Sequence, residues 1–509
     1  MMKISRDRAI KVLVWCLGLT LLILPQVVEC PENLDPRGFR ALGVTALMAV
    51  LWVSEVLPIP VTSILPILLF PLLGIMPSDA VSGAYANDLT FLFFGGFFMA
   101  LTIEKWKLHR RIALNLIVLF GTQPARTMLG IMVAVAVLSM WISNTATTLM
   151  MLPICIALCE ELSGSGVNDE TRVRFTTALL LSVAYAANIG GMGTPIGTAP
   201  NGIFQREFEG AGQPSFAEWM IICVPLVCIF VVIVWLVLRR EFSKASGEIC
   251  FGDRDLVRDR LKKLGGLSTQ EKAVAAVFGL VVLLWVTRRD LTLGSFYLPG
   301  WVSGLEYLGA DWLVASAKTG VGDSAAAILG VVLLCIWRPG PDKAVLADWD
   351  TAKSLPWGML LLLGGGFAIA KSFQIGASAG DILSLSAWIG NSLSSLESAG
   401  APVLVPVIST VMSFMTEFAS NTATTSVVVP IVSQVGTDTL GRLLAFAATL
   451  SASCAFMLPV ATPPNAIVFA SGRISIKSMI RAGLIINFIG ILLISLTVLL
   501  IAANVLPKL

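Results

Sequence analysis

Apolar residues run along this chain in long continuous stretches broken by short polar segments, not in alternation with polar residues. Such stretches occupy residues 10–28, 42–56, 221–238, 273–286, 325–337 and 484–503. A helix of about 20 residues spans the hydrocarbon core of a bilayer, so the pattern predicts an all-α polytopic membrane protein with about 11 crossings. A transmembrane β-barrel is excluded, because its strands would alternate apolar and polar positions. Composition agrees: 56% of the residues are hydrophobic and 13% charged, outside the range of an ordinary soluble domain.

Two apolar runs break this rule. Residues 130–141 and 403–415 are too short to cross, and each leads into the same phrase, Ser-Asn-Thr-Ala-Thr-Thr, at 143–148 and 420–425. Each copy continues with mostly apolar residues into Pro-Ile, at Pro153-Ile154 and Pro430-Ile431. A short apolar segment, a polar tip and an apolar return predict a re-entrant helical hairpin. Its tip lies at membrane depth and must face protein or water, since lipid cannot satisfy free backbone groups. The first turn of the returning helix then presents unpaired N–H groups, which suit an anion.

Further landmarks repeat in the same order. Gly95-Gly96 precedes the first copy and Gly364-Gly365-Gly366 the second. Downstream, Gly190-Gly-Met-Gly-Thr-Pro-Ile-Gly-Thr-Ala-Pro-Asn201 is matched by Pro459-Val-Ala-Thr-Pro-Pro-Asn465, both interrupting apolar helices and both ending in Pro-Asn. Paired interruptions in two halves are the sequence mark of a transporter binding site. Between the halves lies the long polar stretch 239–272, rich in Lys and Arg, which places it in the cytoplasm. Lys3, Arg6, Arg8 and Lys11 precede the first apolar run, which no small-residue cleavage site follows, so a retained first helix with a cytoplasmic N-terminus is expected.

The chemistry of the tips admits two ligands. Hydroxyl, amide and helix N-terminal N–H groups suit a carboxylate or other oxyanion. The same side-chain oxygens, with carbonyls of unwound backbone, suit a hard cation such as sodium. No Lys, Arg or His lies in either tip or either break, so a bound polyanion would need cations as its counter-charge. Helix–helix glue by Ser and Thr competes with this reading, but glue does not require the same string twice. Simple kinks compete more strongly for the Gly/Thr/Pro breaks. The glycine clusters read as close-packing positions. Glu417, beside the second tip, is a candidate proton-coupling acid, but the first copy has no matching acid and a structural or solvated role is favoured; Glu55 reads the same way. His109, the single histidine, sits in a basic stretch and reads as a membrane-surface anchor. No nucleophile–base pair, metal-ligand set or cysteine framework appears, so an enzyme is not expected, and a net charge of +3 gives no ground for a nucleic-acid partner.

The two Ser-Asn-Thr phrases, the Gly-Thr-Pro and Thr-Pro breaks and Trp52-Val-Ser-Glu-Val-Leu-Pro-Ile-Pro-Val-Thr62 resemble the divalent anion/sodium symporter family over essentially the whole chain. The resemblance implies sodium-coupled symport of a C4-dicarboxylate such as succinate, malate or fumarate. It also implies two inverted repeats and a homodimer in which a transport domain moves as an elevator against a fixed scaffold. On that scheme residues 10–122 and 273–398 form the scaffold, 123–238 and 399–509 the transport domain, and 239–272 the cytoplasmic linker. The resemblance assigns substrate binding to Ser143, Asn144, Thr145, Thr194, Ser420, Asn421, Thr422, Thr462 and Pro463. It assigns a first sodium site to Ser139, Ser143, Asn144 and a carbonyl near Gly193, and a second to Thr416, Asn421 and the carbonyls of Ala419 and Ala461. Exchanging members of the family tend to carry a basic residue where this chain has Thr147 and Thr424, which favours symport. A sodium-independent exchanger, a citrate or sulfate symporter and, in a different class, an ion channel stay open. A compact chain leans towards a bacterial inner membrane.

Overall fold

The computed structural model describes residues 2–121, 123–161, 169–208, 213–242, 255–293, 296–301, 303–304, 322–340, 344–376, 382–392 and 397–502. Within the polar segment 239–272, residues 243–254 lie outside these, as do residues 305–321 of the block 273–398. The described chain is helical almost throughout. A two-stranded antiparallel hairpin, Leu291–Leu293 with Phe296–Leu298, adds its only paired strands, with Thr292 opposite Tyr297.

Seven described helices are long and apolar enough to cross a membrane: Arg8–Val27, Pro36–Ser54, Ser78–Lys105, Asp169–Gly193, Phe216–Arg240, Thr269–Val286 and Ile476–Leu500. They are joined by shorter apolar helices, among them Ile59–Leu72, Asp323–Ile336 and Trp357–Phe373. Burial ranks them. The apolar window of the first helix is 11% buried, whereas that of Asp169–Gly193 is 94% buried and forms the centre of the molecule.

Both expected hairpins form. Helix Pro124–Ser139 turns back as Asn144–Glu161, and helix Gly400–Met415 turns back as Asn421–Val432. Both breaks form as well. Asp169–Gly190 passes through a 3-10 turn at Gly191–Gly193 and resumes as Ala199–Glu207, while Asp438–Ser451 resumes as Pro463–Ala470. Proline near the start of each resumed helix supplies a fixed φ where no N–H is needed. The halves interlock by exchange. The resumed helix Ala199–Glu207 packs on the second returning helix Asn421–Val432, and Pro463–Ala470 packs on the first, Asn144–Glu161.

Helix Trp357–Phe373 also packs against Asn421–Val432 and Ala199–Glu207, and its other neighbours include Ile59–Ser63 and Ser78–Tyr85. The glycines act as packing positions. A Cβ at Gly95 would fall 2.6 Å from Ala327 Cβ, and one at Gly366 would fall 2.6 Å from Ser426 Oγ, the close backbone approach that small residues permit between membrane helices. His109 departs from expectation: it is 5% exposed, with Nδ1 3.1 Å from the Ile103 carbonyl, so it closes a helix end and does not anchor the surface.

Candidate functional site

The two tips and the two breaks converge on one cavity of about 850 Å3. Ser143, Asn144 and Thr145 line it from the first tip, and Ala419, Ser420, Asn421 and Thr422 from the second. The breaks contribute Gly197, Thr198 and Ala199 on one side and Ala461, Thr462 and Pro463 on the other. Trp52, Glu55, Phe97 and Met359 form a further wall.

The repeated phrase places these groups for a local reason. The later threonines bond back along their own helix: Thr148 Oγ1 donates to the Asn144 carbonyl, and Thr425 Oγ1 to the Asn421 carbonyl, at 2.8 and 2.7 Å. Their hydroxyls are thereby satisfied in a buried setting. The Ser-Asn-Thr residues at the head of each helix are left to face the cavity, beside the N–H groups of the first turn.

Behind each tip lies a tight group of oxygens. Ser139 Oγ is 2.6 Å from Asn144 Oδ1 and 2.8 Å from the Ala187 carbonyl oxygen. Thr416 Oγ1 is 2.5 Å from Asn421 Oδ1 and 3.0 Å from the Ala452 carbonyl oxygen. Ser139 and Thr416 are fully buried. One hydroxyl proton cannot serve both acceptors, so each group is rich in oxygen lone pairs, the donor set a hard monovalent cation completes. Gly191 makes room for the first: a Cβ there would lie 2.8 Å from Asn144 Oδ1.

The breaks are held open by asparagine. Asn201 Nδ2 donates to the carbonyls of Gly191 and Thr194 at 2.9 and 2.8 Å. Asn465 Nδ2 donates to those of Ala455 and Leu458 at 2.9 and 3.0 Å. Carbonyls freed by each interruption thus regain partners. In the second break the freed N–H groups are met by Glu417, which is 1% exposed. Its Oε1 accepts from the N–H of Phe456 and Met457 and from Asn487 Nδ2, at 2.8, 2.9 and 2.7 Å; Oε2 accepts from Met457 and Leu458, both at 3.1 Å. Of the structural and solvated roles expected for Glu417, its burial and partners show the structural one.

Most expected site residues meet at this cavity. Thr194 does not: it is fully buried and its hydroxyl donates to the Met140 carbonyl. Thr198, three residues before Asn201 as Thr462 is before Asn465, lines the cavity in its place. Gly193 packs against the Met140 side chain and is likewise outside the lining. The carbonyls nearest Ser139 and Thr416 belong to Ala187 and Ala452, which residue types alone did not reveal. Asn188 is a further lining residue that the sequence reading missed.

Comparison with known proteins adds relatives to this geometry. A family model described as the sodium:sulfate symporter transmembrane region matches residues 9–506. The sodium-dependent dicarboxylate transporter SdcS of Staphylococcus saprophyticus is 38% identical over 490 residues, covering 95% of this chain and 89% of that protein. SdcS of Staphylococcus aureus is 38% identical over 491 residues, with 95% and 89% covered. Among solved structures, the Alcanivorax borkumensis YdaH transporter aligns with a TM-score of 0.52 at 14% identity, covering 97% of this chain and 98% of that one. That likeness is one of fold.

Proposed function

The chain belongs to the sodium:sulfate symporter family, and from that premise we propose that it is a secondary transporter carrying a C4-dicarboxylate across the membrane together with sodium. One observation supports this above the others. The cavity joins two anion-suited tips to two oxygen-only groups and carries no cationic side chain among the described residues. A dicarboxylate there lacks protein counter-charge, and cations held behind the tips supply it. The SdcS relatives are named as sodium-dependent dicarboxylate transporters, which agrees with this cargo.

In this reading Ser139, Asn144 and the Ala187 carbonyl hold one sodium ion, and Thr416, Asn421 and the Ala452 carbonyl hold the other. Ser143, Thr145, Ser420, Thr422, Thr462 and Pro463 receive the carboxylates. Sodium binds first, because it organises the asparagines that the anion then meets. Empty movement of either ligand alone is thereby disfavoured. The halves are inverted repeats. The transport domain comprises 123–238 and 399–509, and slides as an elevator along a scaffold of 10–122 and 273–398. Two copies pair through their scaffolds in a bacterial inner membrane, with the N-terminus and the linker 239–272 in the cytoplasm.

The test is uptake of labelled succinate into proteoliposomes under an imposed sodium gradient. Symport requires uptake that collapses when choline replaces sodium. Uptake unchanged in choline refutes it and leaves exchange, and an ohmic current would mark a channel. Competition by a panel of di- and tricarboxylates and sulfate then orders the substrates.

A further inference from the structure

Asn188 lies on the buried helix Asp169–Gly190, is 1% exposed, and alone of that helix lines the cavity. Its side chain belongs to the other half of the chain. Nδ2 donates to Thr462 Oγ1 at 3.1 Å and to the Ala455 carbonyl at 3.4 Å, both in the second break. Its Oδ1 is buried with no hydrogen-bond partner among the described residues. The residue before it, Ala187, supplies the carbonyl of the first oxygen group.

The Ala187 carbonyl and the Asn188 Cα share one planar peptide unit. A cation drawing that carbonyl into its coordination sphere tilts the plane and carries the Asn188 side chain with it. That side chain in turn sets the direction of the Thr462 hydroxyl, on the wall that receives the anion. The first oxygen group and the second break are therefore joined by a peptide plane and one amide, through a helix whose burial leaves little room for independent movement.

We propose that Asn188 is a positioning residue that couples the two halves of the site, so that a cation in the first group orients Thr462 and raises affinity at the second half. The proposal rests on the sodium-symport reading. Coupling of binding is reciprocal, so removing this link should flatten cooperativity in both directions.

The experiment measures sodium activation of succinate uptake in proteoliposomes for wild type, Asn188→Ala, Thr462→Val, Thr462→Ser and the Asn188→Ala/Thr462→Val double variant. Melting temperature in detergent is followed alongside. Wild type should activate with a Hill coefficient above one. Asn188→Ala should bring it towards one and raise the succinate KM several-fold, with maximal uptake changed much less. Thr462→Val should lower the Hill coefficient in the same way by cutting the bond from the other side, with a larger rise in succinate KM because it also removes a carboxylate contact, and its Hill coefficient serves where Asn188→Ala does not fold. Thr462→Ser, which keeps the hydroxyl, should follow wild type. Because both substitutions remove one interaction, the double variant should be no worse than the worse single.

A wild-type Hill coefficient in Asn188→Ala with only the maximal rate scaled down would overturn the proposal, as would additive effects in the double variant. If wild type itself shows no sodium activation, the symport reading fails and the proposal falls with it. If wild type is sodium-activated and Asn188→Ala keeps its cooperativity, only the coupling role is lost.

Discussion

Removing the Glu417 carboxylate should cost more than any other single change near the cavity. It accepts three backbone N–H groups of the second break and the Asn487 amide while 1% exposed. Glu417→Ala leaves four buried donors without an acceptor. Each such donor costs about 1–3 kcal/mol, so four sum to about 4–12 kcal/mol, with the lower end applying where water enters the space. Glu417→Gln keeps one oxygen. That oxygen can hold the set at Oε1, but the new NH2 faces the Leu458 N–H, donor against donor. The loss is then one or two hydrogen bonds to a charged group, about 1.5–6 kcal/mol. On the sodium-symport reading the cost also reaches the ion. Glu417 adjoins Thr416, so its charge makes the Thr416–Asn421–Ala452 group more electronegative, and Glu417→Gln should raise the sodium concentration for half-activation as well as lower the melting temperature. The assay pairs thermal unfolding in detergent with sodium activation of succinate uptake. A Glu417→Ala protein that melts and responds to sodium like wild type would refute the assignment of this carboxylate as the anchor of the break.

Four further outcomes follow from the same geometry. Asn144→Ala and Asn421→Ala should each abolish sodium-driven uptake, because each removes a tip ligand and an oxygen-group member together; wild-type rates in either would show that the residue assignments are wrong. Gly191→Ala places a methyl 2.8 Å from Asn144 Oδ1, and the overpacking, worth about 1–3 kcal/mol, should weaken half-activation by sodium about tenfold; an unshifted activation curve contradicts it. Glu55 is the one charged residue lining the cavity among the described residues, so Glu55→Gln should raise the sodium half-activation about threefold while lowering the succinate KM, both shifts shrinking in added choline chloride; a parallel rise in both constants would argue against an electrostatic role. Sodium should raise the melting temperature of the purified protein where choline does not, by about 2.7 kcal/mol of stabilisation at a hundredfold excess over its dissociation constant, and calorimetry with the two chlorides reads this directly.

What the chain discloses before folding depends on whether side chains or backbone do the work. The tips were legible because the same polar string recurs in two apolar runs too short to cross, and hairpins formed at both. The donors of the oxygen groups were half legible. Ser139 and Thr416 stand one turn before the tips, but the Ala187 and Ala452 carbonyls could not be read, since every residue carries the same carbonyl. The first break holds two threonines, Thr194 and Thr198, and the Gly-Thr-Pro string pointed to the wrong one for the lining. The Pro-Asn pairs carried the better register. Asn201 and Asn465 make equivalent bonds across their breaks, and counting back three from each reaches Thr198 and Thr462. His109 misled for a related reason: the basic residues around it are a surface signal, whereas its own ring turns inward to the Ile103 carbonyl.

The duplication is also uneven in a way that bears on mechanism. Glu417 follows Thr416, as Met140 follows Ser139, so one half places a carboxylate where the other places a thioether. Each solves the problem of an interrupted helix differently. At the first break, Thr194 donates to the Met140 carbonyl and Trp219 Nε1 to the Met192 carbonyl at 2.9 Å. These are neutral bonds from donors to freed carbonyls. At the second, a charge gathers freed N–H groups. Two oxygen groups built from similar residue types therefore sit in different surroundings, since the residue after Thr416 is the carboxylate Glu417 and the residue after Ser139 is the thioether Met140. On the proposed sodium-symport reading, a cation arriving from dilute solution would be drawn first to the second on electrostatic grounds. The first group, with the Asn188 peptide plane attached, would then be the one whose filling is felt across the cavity if the proposed coupling holds. On the same reading an equal pair would give two independent sites, whereas the unequal pair would give an order in which the site assembles.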